Sequence, residues 1–182
     1  EKKALKVLKK RKNLRLIDAS KLLLNNNQQI ISNFNTLLVQ SLDTIKFKKK
    51  DFKIVSKSKP NNETMNNLIF AFNACRFIKS NAIVITRDYS TVGIGSGQSS
   101  RVDSCEIAIN KMRKNNFDIA KTKLYAASDA FFPFVDGLEK LVQSGVSAVI
   151  QPRGSKNDKE IINFANKVGI VLVFSNTRHF KH

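Results

Sequence analysis

Two cysteines, two histidines and three prolines are all that 182 residues contain. Cys75 and Cys105 lie thirty residues apart, which fits neither a zinc site nor a disulfide framework. Each falls in an apolar stretch of helical character, so buried thiols in a reducing, cytoplasmic setting are expected. No histidine precedes His179, so a histidine base must come from the last few residues or from outside this chain. The paired His-x-Glu and Pro-Cys-x-x-Cys motifs of zinc deaminases are missing. So is the Gly-x-Ser-x-Gly nucleophile elbow. There is no apolar run long enough for a transmembrane helix and no signal-peptide pattern. The chain opens on Glu1 rather than methionine, which suggests a processed product or a fragment.

Acidic residues are scarce as well. Fourteen Asp and Glu stand against 32 Lys and Arg, for a net charge of +18. Such a charge can mark an anionic partner. Lysine far outnumbers arginine, however, and asparagine and isoleucine abound, as AT-rich coding would produce. That compositional origin is taken as the main source of the charge. Arginines interleaved with aromatics, the pattern of a nucleic-acid surface, do not occur, so neither nucleic acid nor membrane is expected as a partner.

What is present reads as an α/β chain. Residues 2–12 alternate lysines with Ala4, Leu5, Val7 and Leu8, the pattern of an amphipathic helix. Leu14 to Ile17 reads as a strand, and 24–50 as polar loops with one or two short strands. Phe52 to Val55 is a further strand. After Lys59-Pro60, Asn61 or Asn62 can cap a helix to about Ile78, with Leu68, Ile69, Phe72 and Phe77 on its apolar face. The β-branched run Ala82–Thr86 and the run Thr91–Ile94 form a hairpin about Asp88-Tyr89-Ser90. Ser99 or Ser100 opens a helix to about Lys114. Leu124–Ala127, Ser147–Ile150 and Ile170–Phe174 are strands. Between them, Asp136 caps a helix to Ser144, and Asn157 with Glu160 forms a capping-box variant on a helix ending before Gly169. The alternation predicts a layered α/β fold with mixed pairing.

Ser128-Asp129-Ala130-Phe131-Phe132-Pro133-Phe134 is the most unusual stretch. Pro133 interrupts regular structure, so the run is a loop, yet loops mostly face water. It is either a buried connection or the wall of a pocket for something flat. Gly93-Ile94-Gly95-Ser96-Gly97-Gln98 joins a strand to a helix. It can present amides to an anion or serve only as a tight turn. Arg101, in the first turn of the following helix, opposes the helix dipole unless a ligand or ion pair engages it. Asn81 opens a buried strand, where asparagine has poor propensity. Arg178, in the closing Arg178-His179-Phe180-Lys181-His182, could clamp a phosphate. His179 and His182 have no matching metal ligands elsewhere, so no metal site is expected.

These motifs occur together and in a fixed order. Lys79-Ser80-Asn81-Ala82-Ile83-Val84 comes first, then Thr91 to Val102, the phenylalanine loop with Asp136-Gly137, Ile150-Gln151-Pro152-Arg153-Gly154-Ser155, and the closing five residues. In that order they resemble the C-terminal part of a bifunctional purine biosynthesis family. Its members join an aminoimidazole carboxamide ribonucleotide (AICAR) transformylase to an inosine monophosphate (IMP) cyclohydrolase. The resemblance is strong from about Phe52 to His182 and weaker but colinear before it. It divides the chain into 1–51, the tail end of a preceding transformylase lobe with loops, and 52–182, the C-terminal lobe.

The resemblance implies formyl transfer from 10-formyltetrahydrofolate to the amine of AICAR in a cytoplasmic, multifunctional enzyme. It implies a cytidine-deaminase-like mixed sheet with flanking helices and no zinc, in a homodimer with sites between subunits. Asn81, Arg101 and the Phe131 backbone would hold the carboxamide end of the nucleotide, and Arg178 its phosphate or ribose. Pro133, Phe134 and Asp136, with Phe131, would form the folate side, while Phe132 points into the core. Some members carry potassium where Ser80 and Asp129 stand. Ile78 and Ala82 replace hydroxyl residues expected at that site. The family's catalytic Lys-His pair lies upstream of the matched region, and Lys181-His182 belongs to the tail motif. The cyclohydrolase domain is also missing, so this chain alone is expected to be inactive. The competing readings are a non-catalytic α/β module binding nucleotides or anions, and a basic nucleic-acid-binding protein.

Overall fold

In the β-branched run Ile83–Arg87 (β4), successive side chains point to opposite faces of a sheet, and both faces are buried. Ile83 and Ile85 enter one apolar cluster and Val84 the other. Asp88 and Tyr89 take positive φ values of 46° and 56°, the backbone of a two-residue hairpin turn, and return the chain as Ser90–Gly95 (β5). In the computed structural model, which describes residues 2–19, 28–114 and 122–181, this hairpin is one edge of a six-stranded sheet.

The remaining strands are Phe52–Ile54 (β3), Leu124–Ser128 (β6), Val146–Pro152 (β7) and Val171–Ser175 (β8), and the sheet order is β3-β8-β7-β6-β4-β5. β6, β7 and β8 run parallel, and the other pairings are antiparallel. The parallel pairs are joined through Asp136–Gln143 (α4) and Asp158–Val168 (α5). With Arg101–Arg113 (α3), these helices cover one face, where Leu138, Leu141, Ile161, Cys105 and Met112 pack against Ile83, Ile85, Ala126 and Leu172. Asn62–Cys75 (α2) covers the other, packing Leu68, Ala71 and Phe72 against Val84, Tyr125, Ile150 and Val173. Full burial of Leu68 or Phe72 contributes ~1.5–3 kcal/mol each. The mixed sheet with flanking helices expected from the sequence is the one that forms.

The chain divides into two compact units, Glu1–Leu42 and Asp43–His182. The first holds Lys2–Leu8 (α1) and a hairpin of Gln28–Asn33 (β1) on Thr36–Ser41 (β2). Most of its described apolar side chains, Phe34, Leu37 and Ile30 among them, are exposed. The sheet, its four covering helices and both apolar clusters belong to the second unit, as do residues 43–51.

Several local expectations change. Leu14–Ile17 is exposed and forms no strand, because no segment among the described residues offers it a ladder. Helix α2 ends at Cys75, so Phe77 lies beyond it and is exposed. Asn61 does cap that helix, accepting the Thr64 N–H at 2.8 Å. Asp136 is the first helical residue of α4 and accepts the Gly137 N–H instead of capping from outside. Asn157 sits at the cap position of α5 without making the cap bond.

Candidate functional site

The register that pairs Ile83 with Ser128 decides what meets at one end of the sheet. Residues just before β4 come to lie beside those just after β6, so Ser80 and Asn81 face Asp129 and Ala130. The end of β5 and the start of α3 add Arg101. Glycine brings α3 this close. A Cβ on Gly95 would stand 1.9 Å from the Ser104 carbonyl oxygen, and one on Gly93 2.2 Å from that of Ala108. These two glycines therefore serve helix-on-strand contact. The Gly97 N–H is spent on the Lys79 carbonyl at 2.9 Å.

Arg101 is 8% exposed and held before any ligand arrives. Its Nη1 donates to Asp129 Oδ1 and to Ser128 Oγ at 2.8 Å, and its Nη2 donates to Asn81 Oδ1 at 2.7 Å. Asp129, fully buried, also accepts from Ser80 Oγ at 2.5 Å. The Asn81 amide donates to the carbonyls of Gln98 at 3.0 Å and Ser99 at 3.1 Å. A guanidinium has five N–H donors, so Nε and one hydrogen of Nη2 remain. The ion pair explains how arginine sits in a first helical turn against the dipole.

Beside this cluster opens a cavity of about 440 Å³. Asn81 and Arg101 line it on one side, Phe131, Pro133, Phe134 and Asp136 on the other. Ser99, Ser100 and Phe180 complete the rim. The phenylalanine loop is thus a pocket wall; Phe132 also borders the cavity, but its buried ring packs against Gly137 in the core. Arg178 is not among the lining residues; it is exposed, with its guanidinium 5.2 Å from the centre of the Phe180 ring. His182 lies outside the described residues. Sequence reasoning passed over Ser99, Ser100 and Phe180 as contributors. All three lie inside the motifs that carried the resemblance, which was the available signal.

Below the pocket, His179 is buried. Its N–H donates to the Asp129 carbonyl at 2.9 Å, its Nδ1 bonds the Asp43 carboxylate, and its ring lies 4.5 Å from that of Phe72. Burial pushes the imidazole pKa below its ordinary value, outweighing the upward pull of Asp43. Burial also pushes the Cys105 thiol up to about 12 and Cys75 well above its usual range, so neither is a thiolate nucleophile near neutrality.

At the potassium site that the resemblance suggests, the side-chain donors are few and already engaged. Asp129 has one oxygen on Arg101 and the other on Ser80. Ile78 and Ala82 supply no side-chain oxygen. A cation there would share a carboxylate already engaged by the guanidinium, and two of the expected side-chain oxygens are missing, so the residues present fit the ion poorly. Among the described residues, no three His, Cys, Asp or Glu side chains come together in a group that could hold a metal ion.

Fold and pocket define an α/β protein with a ligand-sized cavity at one end of a mixed sheet, built around a buried arginine. The family model of the AICARFT/IMPCHase bienzyme matches residues 1–111. The chain is 38% identical over 184 residues to the bifunctional purine biosynthesis protein PurH of Lactococcus lactis subsp. lactis (strain IL1403), covering 100% of this chain and 35% of that protein. To PurH of Leptospira biflexa serovar Patoc it is 42% identical over 180 residues, with 98% and 35% covered. To PurH of Buchnera aphidicola subsp. Baizongia pistaciae it is 42% identical over 181 residues, with 98% and 34% covered. The chain belongs to the AICARFT/IMPCHase bienzyme family. It spans about a third of the length of these relatives. Among solved structures, the apo dCMP deaminase of cyanophage S-TIM5 aligns with a TM-score of 0.38 at 14% identity, over 63% of this chain and 98% of that one, a likeness too slight to carry a conclusion. No helix among the described residues is long and apolar enough to cross a membrane.

Proposed function

We propose that this chain is the C-terminal part of an AICAR transformylase and supplies binding surface for both substrates of formyl transfer. The observation that carries the reading is Arg101: buried, fixed by Asp129, Ser128 and Asn81, and still holding two uncommitted N–H donors beside an apolar wall. Such a donor pair suits a carboxamide oxygen. Asn81 acts mainly by orienting Arg101, since both of its amide hydrogens go to backbone carbonyls. Pro133 and Phe134 offer a flat apolar face for the pterin of 10-formyltetrahydrofolate, and Asp136 a polar edge. Arg178 would meet the nucleotide's phosphate or ribose from the rim.

The AICAR amine is conjugated with its ring and is a poor nucleophile. Attack on the formyl carbon therefore needs alignment of the two reactants, removal of a proton and stabilisation of the developing oxyanion. Holding the carboxamide on Arg101 fixes the neighbouring amine relative to the folate wall, which supplies alignment. No lysine or histidine lines the cavity among the described residues. In keeping with the Lys-His pair that the resemblance expects upstream of the matched region, the proton acceptor is assigned to residues outside this chain, and the chain alone binds without turning over. The cyclohydrolase reaction, a homodimeric state and a cytoplasmic setting belong to the same proposal.

Calorimetry with AICAR tests it. The expected result is saturable binding, weakened about tenfold or more by Arg101→Ala and by Arg178→Ala, each of which removes charge-assisted hydrogen bonds. Formyl transfer by the purified chain would overturn the assignment of the base. Nucleotide binding with no affinity for tetrahydrofolate would favour the non-catalytic binding module.

A further inference from the structure

Asn157 occupies the cap position of α5, yet its side chain turns away from the helix. Its Nδ2 donates to the carbonyl of Pro133, 24 residues earlier in the chain, at 2.6 Å. Asp158 takes over the polar work at the start of the helix, its Oδ2 accepting from the Gly154 N–H at 2.8 Å and its Oδ1 from the Ser155 N–H at 3.2 Å. The Asn157 N–H donates to Ser155 Oγ at 3.1 Å, which fixes the residue's own backbone. A brace thus runs from the loop between β7 and α5 to the aromatic wall of the pocket.

The wall needs such a brace. Pro133 has no N–H to give, and Phe134 is 61% exposed, so neither burial nor a backbone ladder holds the tip of the loop. Phe132 anchors the middle by its buried ring, and Ser128 Oγ holds the Ala130 carbonyl at 2.6 Å. The Asn157 bond reaches Phe131–Phe134 from another element.

We infer that Asn157 is a positioning residue: it fixes the Pro133–Phe134 edge at a set separation from Arg101 and so sets the affinity for the flat ligand on that wall. The nature of that ligand rests on the transformylase reading; the brace itself does not. Asn157→Ala removes the donor. Asn157→Asp keeps the shape and sets a carboxylate oxygen against a carbonyl oxygen.

The experiment pairs two readouts on the whole chain. Amide exchange by mass spectrometry, with no ligand present, should show faster exchange in a peptide spanning 130–136 for both variants, by about tenfold for a lost hydrogen bond of ordinary strength, with β4 and β6 unchanged. Calorimetry should show tetrahydrofolate binding about three- to tenfold weaker and AICAR binding unchanged. Unchanged exchange in both variants overturns the inference. So does a loss seen in Asn157→Ala but not in Asn157→Asp, because the contact would then be packing. An equal loss for both ligands also overturns it, because the residue would then serve the fold in general. If the unmodified chain binds neither ligand, the transformylase reading fails, and the exchange readout still decides whether the brace exists.

Discussion

Arg101 and Asp129 form a buried pair, and each is costly without the other. Arg101→Ala leaves a fully buried carboxylate whose remaining side-chain donor is Ser80. The expected loss is ~3–5 kcal/mol in urea unfolding. Adding Asp129→Asn should recover part of it, because a buried amide costs less than a buried charge. His179 makes a second prediction at this scale. Its folded pKa lies below the unfolded value of 6.5. The unfolded chain therefore takes up the proton first, so the stabilisation is complete above about pH 6.5 and is lost as pH falls through the folded pKa. Unfolding followed from pH 8 to 5 should show stability flat down to about pH 6.5 and falling below it, at no more than ~1.4 kcal/mol per pH unit for this one group. His179→Gln should flatten it. The sequence marked Arg101, Asn81 and the phenylalanine loop because each breaks a local rule: a cation at a helix start, an amide opening a strand, an apolar loop around a proline. The contact of Asp43 with the buried His179 left no such trace, because its partners are far apart in the chain and only the fold brings them together.

At the scale of elements, helix α3 rides directly on the backbone of β5. At Gly95 and Gly93 the nearest atoms to an added Cβ are backbone carbonyls, which cannot rotate aside. Gly95→Ala should therefore force α3 outward at a cost of ~1–3 kcal/mol. Arg101 begins that helix, so the AICAR binding proposed for the pocket should weaken in the same variant. Gly169→Ala is the control: φ is +78° there and a Cβ would meet nothing within 4 Å, so only the backbone strain of ~1 kcal/mol remains and binding should not change. Chemical denaturation and calorimetry on both variants check the pair. The strands of the sheet were legible because β-branched and apolar runs stand between clear turn signals. The stretch Leu14–Ile17 has the same composition but finds no ladder, and strand propensity is weak without one. The hairpin β1–β2 was faint for the opposite reason. It pairs well, but both of its faces remain largely exposed, so its sequence carries little alternation.

At the scale of the molecule, the two apolar clusters draw every member from residue 47 onward. None of the described residues of the first unit belongs to either, and most of its described apolar side chains are exposed. A two-stranded hairpin with a short helix does not fold independently in water. The second unit holds the complete sheet, both covering layers and the whole described lining of the pocket. A chain reduced to residues 43–182 should therefore unfold in one cooperative transition, with the same midpoint as the full chain to within ~2 °C and the same AICAR affinity. The boundary matters, because Asp43 meets His179, and Arg76 donates to the carbonyls of Asp43 and Ile45. A cut at 52, where the sequence division fell, removes those contacts and leaves His179 buried without its carboxylate. That shorter chain should melt at lower temperature than 43–182, by several degrees for a buried polar group stranded at ~1–3 kcal/mol. Calorimetric scans of the full chain and the two truncations decide the matter. Equal midpoints for both truncations would show that the Asp43 clasp contributes nothing. A large drop on removing 1–42 would show that the first unit, despite its exposed side chains, stabilises the second.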